Sequence, residues 1–228
     1  MPPEPPARPA AGGGRSSRLL KLLFFTLVVR PVVLVVLGLN VRRRERLRTP
    51  GPAIVVANHN SHLDTLVLMT LFPLRQLAEV RPVAAADYFL SKRWLAWFAL
   101  EVIGIVPLSR TVRAGDADPL AECVRHLGDG GILILYPEGS RGDPERLAAF
   151  QGGVAHLARR CPEVPVVPVF LHGAGKSLPR GEALLVPFIC DVFVGESLVW
   201  AGDRRAFMTG LDGAIRALAA EGGFPPWE

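Results

Sequence analysis

Short apolar runs alternate with helical patterns along most of the chain. The run Ile54 to Ala57 follows a Pro-Gly-Pro turn and is rich in β-branched residues, which is typical of a buried strand. Similar runs recur towards the C-terminus, so the sequence predicts an α/β fold with a mixed, largely parallel sheet flanked by helices. Predicted strands lie at 54–57, 83–86, 105–108, 132–136 and 166–171, a β-rich stretch at 184–194, and helices at 90–103, 118–128, 151–160 and 204–220, with another starting near 61–64.

The chain before this alternation has a different pattern. Of the 21 residues from Leu19 to Leu39, 16 are large apolar types, which is long enough for a membrane helix. Arg30 and Pro31 interrupt the segment near its centre. We therefore expect two short helices bent at Pro31 that lie in one leaflet, with Arg30 reaching the lipid headgroups; a single spanning helix is the alternative. The pattern therefore predicts that the N-terminal part of the chain is helical and associated with a membrane.

Charge is concentrated in the same region. Residues 1–50 carry a net charge of +8, and the rest of the chain carries −3. The basic cluster has no aromatic-interleaved face and no DNA-binding motif, which argues against a nucleic-acid partner. We expect it to face an anionic cytoplasmic leaflet and to orient the segment by the positive-inside rule. Its members are Arg42, Arg43, Arg44, Arg46 and Arg48.

Composition then divides the chain into three parts. Residues 1–18 are rich in Pro, Gly, Ala and Arg and are predicted to be a disordered tail. Residues 19–48 are the predicted membrane anchor, and residues 49–228 are long enough and apolar enough for one catalytic domain. The three cysteines lack metal-ligand spacing, so we expect reduced structural residues rather than a metal site.

The most specific chemistry follows the first predicted strand of this domain. His59 lies just past the strand end, and Asp64 lies five positions later, near a predicted helix start. A carboxylate at this spacing can accept a proton from one imidazole nitrogen and leave the other free to act as a base. Two other interpretations remain open at this point. The pair can be a helix cap with a satisfied polar contact, or His59, His62 and Asp64 can be metal ligands.

Two further loops at strand ends contain residues suited to binding phosphate. Arg110 ends one predicted strand, and Arg141 follows another within Glu138-Gly139-Ser140-Arg141. A guanidinium group matches a phosphate in two-point geometry, and glycine lets the backbone approach a ligand closely. A surface ion pair is the alternative for each arginine. Glu138 is open to two roles, holding a substrate hydroxyl or anchoring its loop.

Four blocks together resemble the glycerophospholipid acyltransferase family, closest to the 1-acylglycerol-3-phosphate acyltransferases, over roughly residues 35 to 200. The first and third blocks are specific motifs, whereas the second and fourth are weak alone. In the third block the family usually has Phe, Thr and Ser where this chain has Tyr136, Ser140 and Gly142. The blocks are Asn58-His59-x4-Asp64, Gly104 to Arg110, Tyr136 to Gly142, and Val164 to Val169.

The resemblance implies an O-acyltransferase that needs no cofactor. It implies transfer of a fatty acyl group from acyl-CoA or acyl carrier protein to the free hydroxyl of 1-acyl-glycerol-3-phosphate, giving phosphatidic acid. His59 and Asp64 would be the catalytic residues, and no metal is implied. The residues implied to hold the glycerol phosphate are Arg110, Glu138, Gly139, Ser140 and Arg141.

The implied partners are a lysophospholipid, the acyl donor and the cytoplasmic face of the inner (plasma) membrane. Three alternatives of different kinds remain. A hydrolase would need a nucleophilic serine, but no Gly-x-Ser-x-Gly elbow is present. A non-catalytic membrane scaffold would keep the anchor without needing a His-Asp pair. An acyltransferase acting on another lysophospholipid or lipid acceptor would share every motif.

Overall fold

A seven-stranded sheet forms the centre of the protein. The computed structural model describes residues 14–35, 37–47, 51–109, 118–139, 147–174 and 189–224, without the side chain of His62. Strands β6 and β7 pair antiparallel and the other neighbours pair parallel, which confirms the predicted mixed, largely parallel sheet. The order across the sheet is β1-β7-β6-β2-β5-β3-β4, with β1 at Leu39–Arg42, β2 at Ala53–Ala57, β3 at Val80–Ala85, β4 at Val106–Leu108, β5 at Ile132–Leu135, β6 at Val166–His172 and β7 at Cys190–Val194.

Helices cover both faces of this sheet. The predicted helix at 90–103 is present but begins at Arg93, because the chain turns at residues 90–92; it has α geometry over Arg93–Trp97 and π geometry over Phe98–Ile103. The start of the β-rich stretch, 184–188, lies outside the described residues. The helices are α1 (Arg15–Phe24), α2 (Arg30–Val35), α3 (His62–Thr70), α4 (Ala86–Phe89), α5 (Arg93–Trp97), α6 (Ala121–Gly128), α7 (Gly153–Arg160) and α8 (Arg204–Gly222), with π turns at Phe25–Val29 and Phe98–Ile103 and 3-10 turns at Arg44–Leu47 and Leu74–Gln76.

Strand β2 lies in the middle of the sheet, and all five of its residues are buried. Its side chains alternate between two apolar cores. Val55 packs with the core that contains α3 and the N-terminal helices, whereas Ile54 and Val56 pack with the core that contains α6, α7 and α8. A strand covered on both faces needs a continuous apolar run, which is why this segment has no polar alternation. The loop that follows β2 is thereby held at the centre of the sheet edge.

The N-terminal helices bury a stripe of side chains spaced four residues apart. The stripe consists of Ser17, Lys21, Phe25, Val29, Val33 and Leu37. An α-helix has 3.6 residues per turn, so a strict spacing of four would drift by about 40° at each step. The wider π turn at Phe25–Val29 counteracts this drift and keeps the stripe facing the domain. The change in helical geometry therefore lies before Pro31 rather than at it. The chain is helical from Arg15 to Val35, Pro31 included.

Two expectations for this segment are wrong in detail. Helix α1 begins at Arg15, inside the predicted tail, because Ser17 donates a hydrogen bond to Glu101 and Lys21 is buried against the domain. Arg30 does not extend outwards. Its guanidinium donates to the carbonyl oxygen of Phe72 at 2.9 Å. Among the described residues, no helix is both long enough and apolar enough to cross a membrane.

Four of the five arginines expected to face a lipid leaflet contact protein groups. Both Arg42 and Arg43 pair with Glu221 of α8, and Arg43 also donates to the Val194 carbonyl. Arg44 donates to carbonyl oxygens at the end of α3. Arg46 donates to the Val194 carbonyl and pairs with Glu196, whereas Arg48 lies outside the described residues. These four arginines therefore join β1 and its following turn to the domain.

Lys21 places an ammonium group in the interface between α1 and the sheet. Its side chain is 5% exposed, and Nζ donates to the carbonyl oxygen of Val80 at 2.7 Å. Burial, and secondarily the charge of Arg81, lower the pKa of Lys21 to about 7. Gly104 has φ +75°, and a Cβ built there would lie 3.1 Å from Nζ, so this glycine leaves room for the lysine.

Lys21 should make the stability of the protein depend on pH. Between about pH 7 and pH 10 the unfolded chain holds a proton on this amine that the folded chain has lost, so stability rises with pH. We expect the thermal midpoint of the wild type to rise relative to that of Lys21→Met between pH 6 and pH 9, by roughly 3 °C or more. Lys92 is exposed, and Lys92→Met is the matched control that should show no such trend. Parallel pH profiles for wild type and Lys21→Met would contradict this account.

Candidate active site

The carboxylate of Asp64 organises the loop after β2. Ser61 is the N-cap of α3, and Asp64 closes a capping box by accepting the Ser61 backbone N–H at 2.7 Å. The same oxygen, Oδ2, also accepts the backbone N–H of Asn60 at 2.7 Å. Asp64 is only 1% exposed, so its position is set by these bonds rather than by solvent. The helix-cap interpretation is therefore correct, and it is compatible with a second use of the carboxylate.

That second use is a contact with His59. Nδ1 of His59 lies 3.0 Å from Oδ2 of Asp64, so the hydrogen bond predicted from the five-residue spacing is present. Because an ionised carboxylate only accepts hydrogen bonds, the proton of this contact is on Nδ1 and the lone pair of the ring is on Nε2. The His59 side chain is 16% exposed. The pair thus has the tautomer and the partial access that a general base needs.

Glu138 holds the loop from its other side. Its Oε1 accepts the backbone N–H of His59 at 3.0 Å, and its Oε2 accepts the backbone N–H of Ala148 at 3.1 Å. Burial raises the pKa of Glu138, and the two backbone donors oppose that rise. Both oxygens are engaged by the main chain, so these contacts support loop anchoring rather than the substrate-binding role implied by the resemblance. Gly139, with φ +73°, turns the chain immediately afterwards.

Two contacts at this edge were not predicted. The Tyr136 ring stacks on the imidazole of His59, with ring centroids 4.0 Å apart and planes inclined by 18°. Asn58 exchanges two hydrogen bonds with the backbone of Leu171, at 2.7 and 2.8 Å, and so joins the end of β2 to β6. The sequence offered one signal for them. Asn58 directly follows one predicted strand and Tyr136 ends another, and both strands lead into the site.

The remaining predicted binding residues follow the ends of β4 and β5 in the sequence. Arg110, Ser140 and Arg141 lie outside the described residues, as does the side chain of His62. The strands that lead to them are in place, because β4 and β5 run parallel to β2 and end at the same edge of the sheet. Within the described part of the chain, no three His, Cys, Asp or Glu residues are grouped to hold a metal ion.

Comparison with known proteins identifies the family. A family model described as Acyltransferase matches residues 38–172, more than half of the chain. The chain belongs to the acyltransferase family. The matched residues include the complete β2 loop with His59 and Asp64, as well as Tyr136 and Glu138 after β5. The resemblance inferred from the four sequence blocks is confirmed.

Two plant proteins are among the relatives that this chain resembles in sequence. The chloroplastic 1-acyl-sn-glycerol-3-phosphate acyltransferase of Arabidopsis thaliana is 31% identical over 151 residues, which are 63% of this chain and 38% of that protein. A chloroplastic enzyme of the same name from Brassica napus is 32% identical over 137 residues, 58% of this chain and 36% of the relative. The chain thus matches well under half the length of these two relatives.

A solved structure shows the same fold. The crystal structure of the 1-acyl-sn-glycerophosphate acyltransferase PlsC from Thermotoga maritima superposes with a TM-score of 0.72. The match covers 92% of this chain and 83% of that chain at 20% sequence identity. The chain therefore shares the fold of that structure, and this likeness is independent of the sequence motifs.

Replacing Glu138 tests its anchoring role. In Glu138→Gln an NH2 group replaces one carboxylate oxygen. One hydrogen bond is lost, and the new N–H donor faces a backbone N–H donor. We expect the free energy of unfolding to fall by about 1 to 3 kcal/mol, measured by urea denaturation in detergent. Glu163→Gln, at an exposed position, is the matched control and should have little effect. Equal stability of the Glu138 variant and the control would contradict the anchoring role.

Proposed function

We propose that the protein transfers a fatty acyl group from an acyl thioester to the free hydroxyl of a lysophospholipid. The expected acceptor is 1-acyl-glycerol-3-phosphate, and the product is phosphatidic acid. The observation that carries the proposal is the 3.0 Å contact between His59 Nδ1 and the buried Oδ2 of Asp64, within the residues that match the family. The names of the relatives support the choice of acceptor.

His59 acts as the base in the proposed reaction. Its Nε2 takes the proton of the acceptor hydroxyl, and the hydroxyl oxygen attacks the thioester carbonyl carbon. The bond from the carbonyl carbon to sulfur then breaks, and the thiolate takes the proton back from the imidazolium. Asp64 stabilises the imidazolium that forms between these two steps. No covalent acyl-enzyme is required, because a thiolate is a good leaving group and the two substrates need only be held together.

The residues proposed for the acceptor phosphate rest on the sequence. Arg110 and Arg141 follow strands β4 and β5, and their guanidinium groups suit a phosphate monoester. We include both acyl-CoA and acyl carrier protein in the proposal as acyl donors. The cytoplasmic side of the membrane likewise stays a prediction from the distribution of positive charge.

An acceptor panel tests the proposed function. Purified protein in detergent is assayed with oleoyl-CoA and palmitoyl-CoA against lysophosphatidic acid, lysophosphatidylethanolamine and lysophosphatidylcholine. We expect kcat/KM to be highest with lysophosphatidic acid. We expect His59→Ala to lower it by about 10² to 10⁴ with the protein still folded, and Asp64→Asn to lower it by a similar or smaller factor.

His62→Ala is the matched control, because it removes a neighbouring histidine outside the proposed dyad. An active His59→Ala beside an inactive His62→Ala would show that the base is misassigned. Equal rates with lysophosphatidylethanolamine would favour the second candidate, an acyltransferase for another lysolipid. Absence of transfer to every acceptor with both donors would reject the proposal.

We also propose that the N-terminal helices and α5 rest in a lipid surface. Leu27 is 69% exposed and Val35 is 82% exposed, and on α5 Trp94 and Trp97 are 66% and 55% exposed. The two elements are neighbours, because Phe24 of α1 and Phe98 after α5 pack edge to face with ring centroids 5.3 Å apart. Exposed leucine, valine and tryptophan on adjacent helices suit the boundary between headgroups and acyl chains.

Removal of the whole segment would be an unsuitable test, because its inner stripe belongs to the core. Substitution of Trp94 and Trp97 by serine leaves that stripe intact. We expect the double variant to bind phosphatidylglycerol and phosphatidylethanolamine vesicles roughly tenfold or more weakly in flotation assays. High salt should release little wild-type protein, because apolar burial dominates. Val199→Ser is the control, because Val199 is an apolar residue that is 58% exposed and lies outside these helices. Unchanged flotation of the tryptophan variant would reject this membrane face.

A further inference from the structure

Tyr136 contacts His59 and the residue next to Asp64 through different parts of its side chain. Its ring lies nearly parallel to the His59 imidazole, 4.0 Å between centroids. Its hydroxyl lies 2.8 Å from Oγ1 of Thr65, the residue that follows Asp64 in the first turn of α3. The side chain thus bridges the end of β5 to the loop carrying the base and to the helix start carrying its carboxylate.

This bridge restricts a torsion that is otherwise soft. Rotation of an imidazole about its Cβ–Cγ bond is broad and nearly two-fold, so a single hydrogen bond to Asp64 fixes the ring plane weakly. A flat ring stacked on one face of the imidazole limits this rotation and keeps Nδ1 directed at Asp64. The phenol oxygen lies at the far end of the Tyr136 ring, so its bond to Thr65 fixes that ring in turn.

We propose that Tyr136 is a positioning residue that holds the His59 imidazole in the orientation required for proton transfer, with Thr65 as its anchor. The proposal deepens the acyl-transfer function and depends on His59 acting as the base. Burial, reinforced by the charge of Asp64, raises the pKa of the Tyr136 hydroxyl, so it stays protonated and able to donate to Thr65 at assay pH. Phenylalanine at this position keeps the stack and removes only the anchor.

A double-mutant cycle tests the anchor. Tyr136→Phe and Thr65→Val each remove one end of the hydrogen bond and change the shape little. We expect each single variant to lower kcat by about threefold, without a change in KM for either substrate, since a small displacement of the base affects proton transfer rather than binding. The double variant should lose no more than either single variant, because both remove the same contact. Tyr88→Phe removes the hydroxyl of an exposed tyrosine and should leave kcat unchanged.

Removal of the ring tests the stack. We expect Tyr136→Leu to lower kcat by about 10 to 100-fold, well beyond the effect of Tyr136→Phe. Ethoxyformylation of His59 by diethyl pyrocarbonate, followed by peptide mass spectrometry, gives a readout without substrates. The rate should rise severalfold in Tyr136→Leu, because one face of the imidazole is uncovered, and should stay near the wild-type value in Tyr136→Phe. The thermal midpoint of each variant establishes that it is folded.

Three results would overturn the proposal. Additive losses in the double variant would show that Tyr136 and Thr65 act separately. A raised KM for the acyl donor or the acceptor with kcat unchanged would make Tyr136 a binding residue. Equal His59 modification rates in wild type and Tyr136→Leu would show that the ring does not hold the imidazole. A wild type without acyl transfer would reject the proposed function instead, and the modification rates would still test the stack.

Discussion

The site depends on one buried carboxylate oxygen. Oδ2 of Asp64 accepts the backbone N–H groups of Asn60 and Ser61 and lies 3.0 Å from Nδ1 of His59. The bond from Ser61 belongs to the capping box that begins α3, so the helix cap and the orientation of the imidazole share one acceptor. In water such a carboxylate would be mobile. Here the fold holds it in one orientation against the imidazole.

The second constraint is the register between β2 and β5. Val56 pairs with Leu135, and the same register continued for three residues brings His59 opposite Glu138. The 3.0 Å bond from the His59 N–H to the side-chain Oε1 of Glu138 joins the two loops just beyond the last paired residues. A slip by one residue would reverse the side of the sheet that each side chain faces. The packing of β2 against two apolar cores opposes such a slip, and in this way distant core residues fix the geometry around His59.

Sequence patterns were sufficient for the features that depend on local periodicity. Six of the seven strands, most helices and the His59–Asp64 contact follow from apolar runs, cap residues and a short spacing. Strand β1 was missed, because Leu39–Arg42 was assigned to the predicted membrane anchor. The contacts of Tyr136 and Asn58 were not predictable, because each joins strands that are adjacent only in the folded sheet. Glu138 illustrates the same limit: its motif indicated a polar role, but the two backbone donors that occupy it come from loops 79 and 10 residues away.

The N-terminal segment shows why a long apolar run can predict more than one structure. Its composition is apolar on all sides, which is typical of a helix surrounded by nonpolar material. In the fold the stripe that includes Phe25 and Val33 is buried in the protein core, while Leu27 and Val35 on other faces remain exposed. A helix buried on one side by protein has no structural need for apolar residues on the other, where charged residues would be more soluble. The exposed leucines and valines, together with the tryptophans of α5, therefore favour a nonpolar environment on that face, and a lipid surface would supply one.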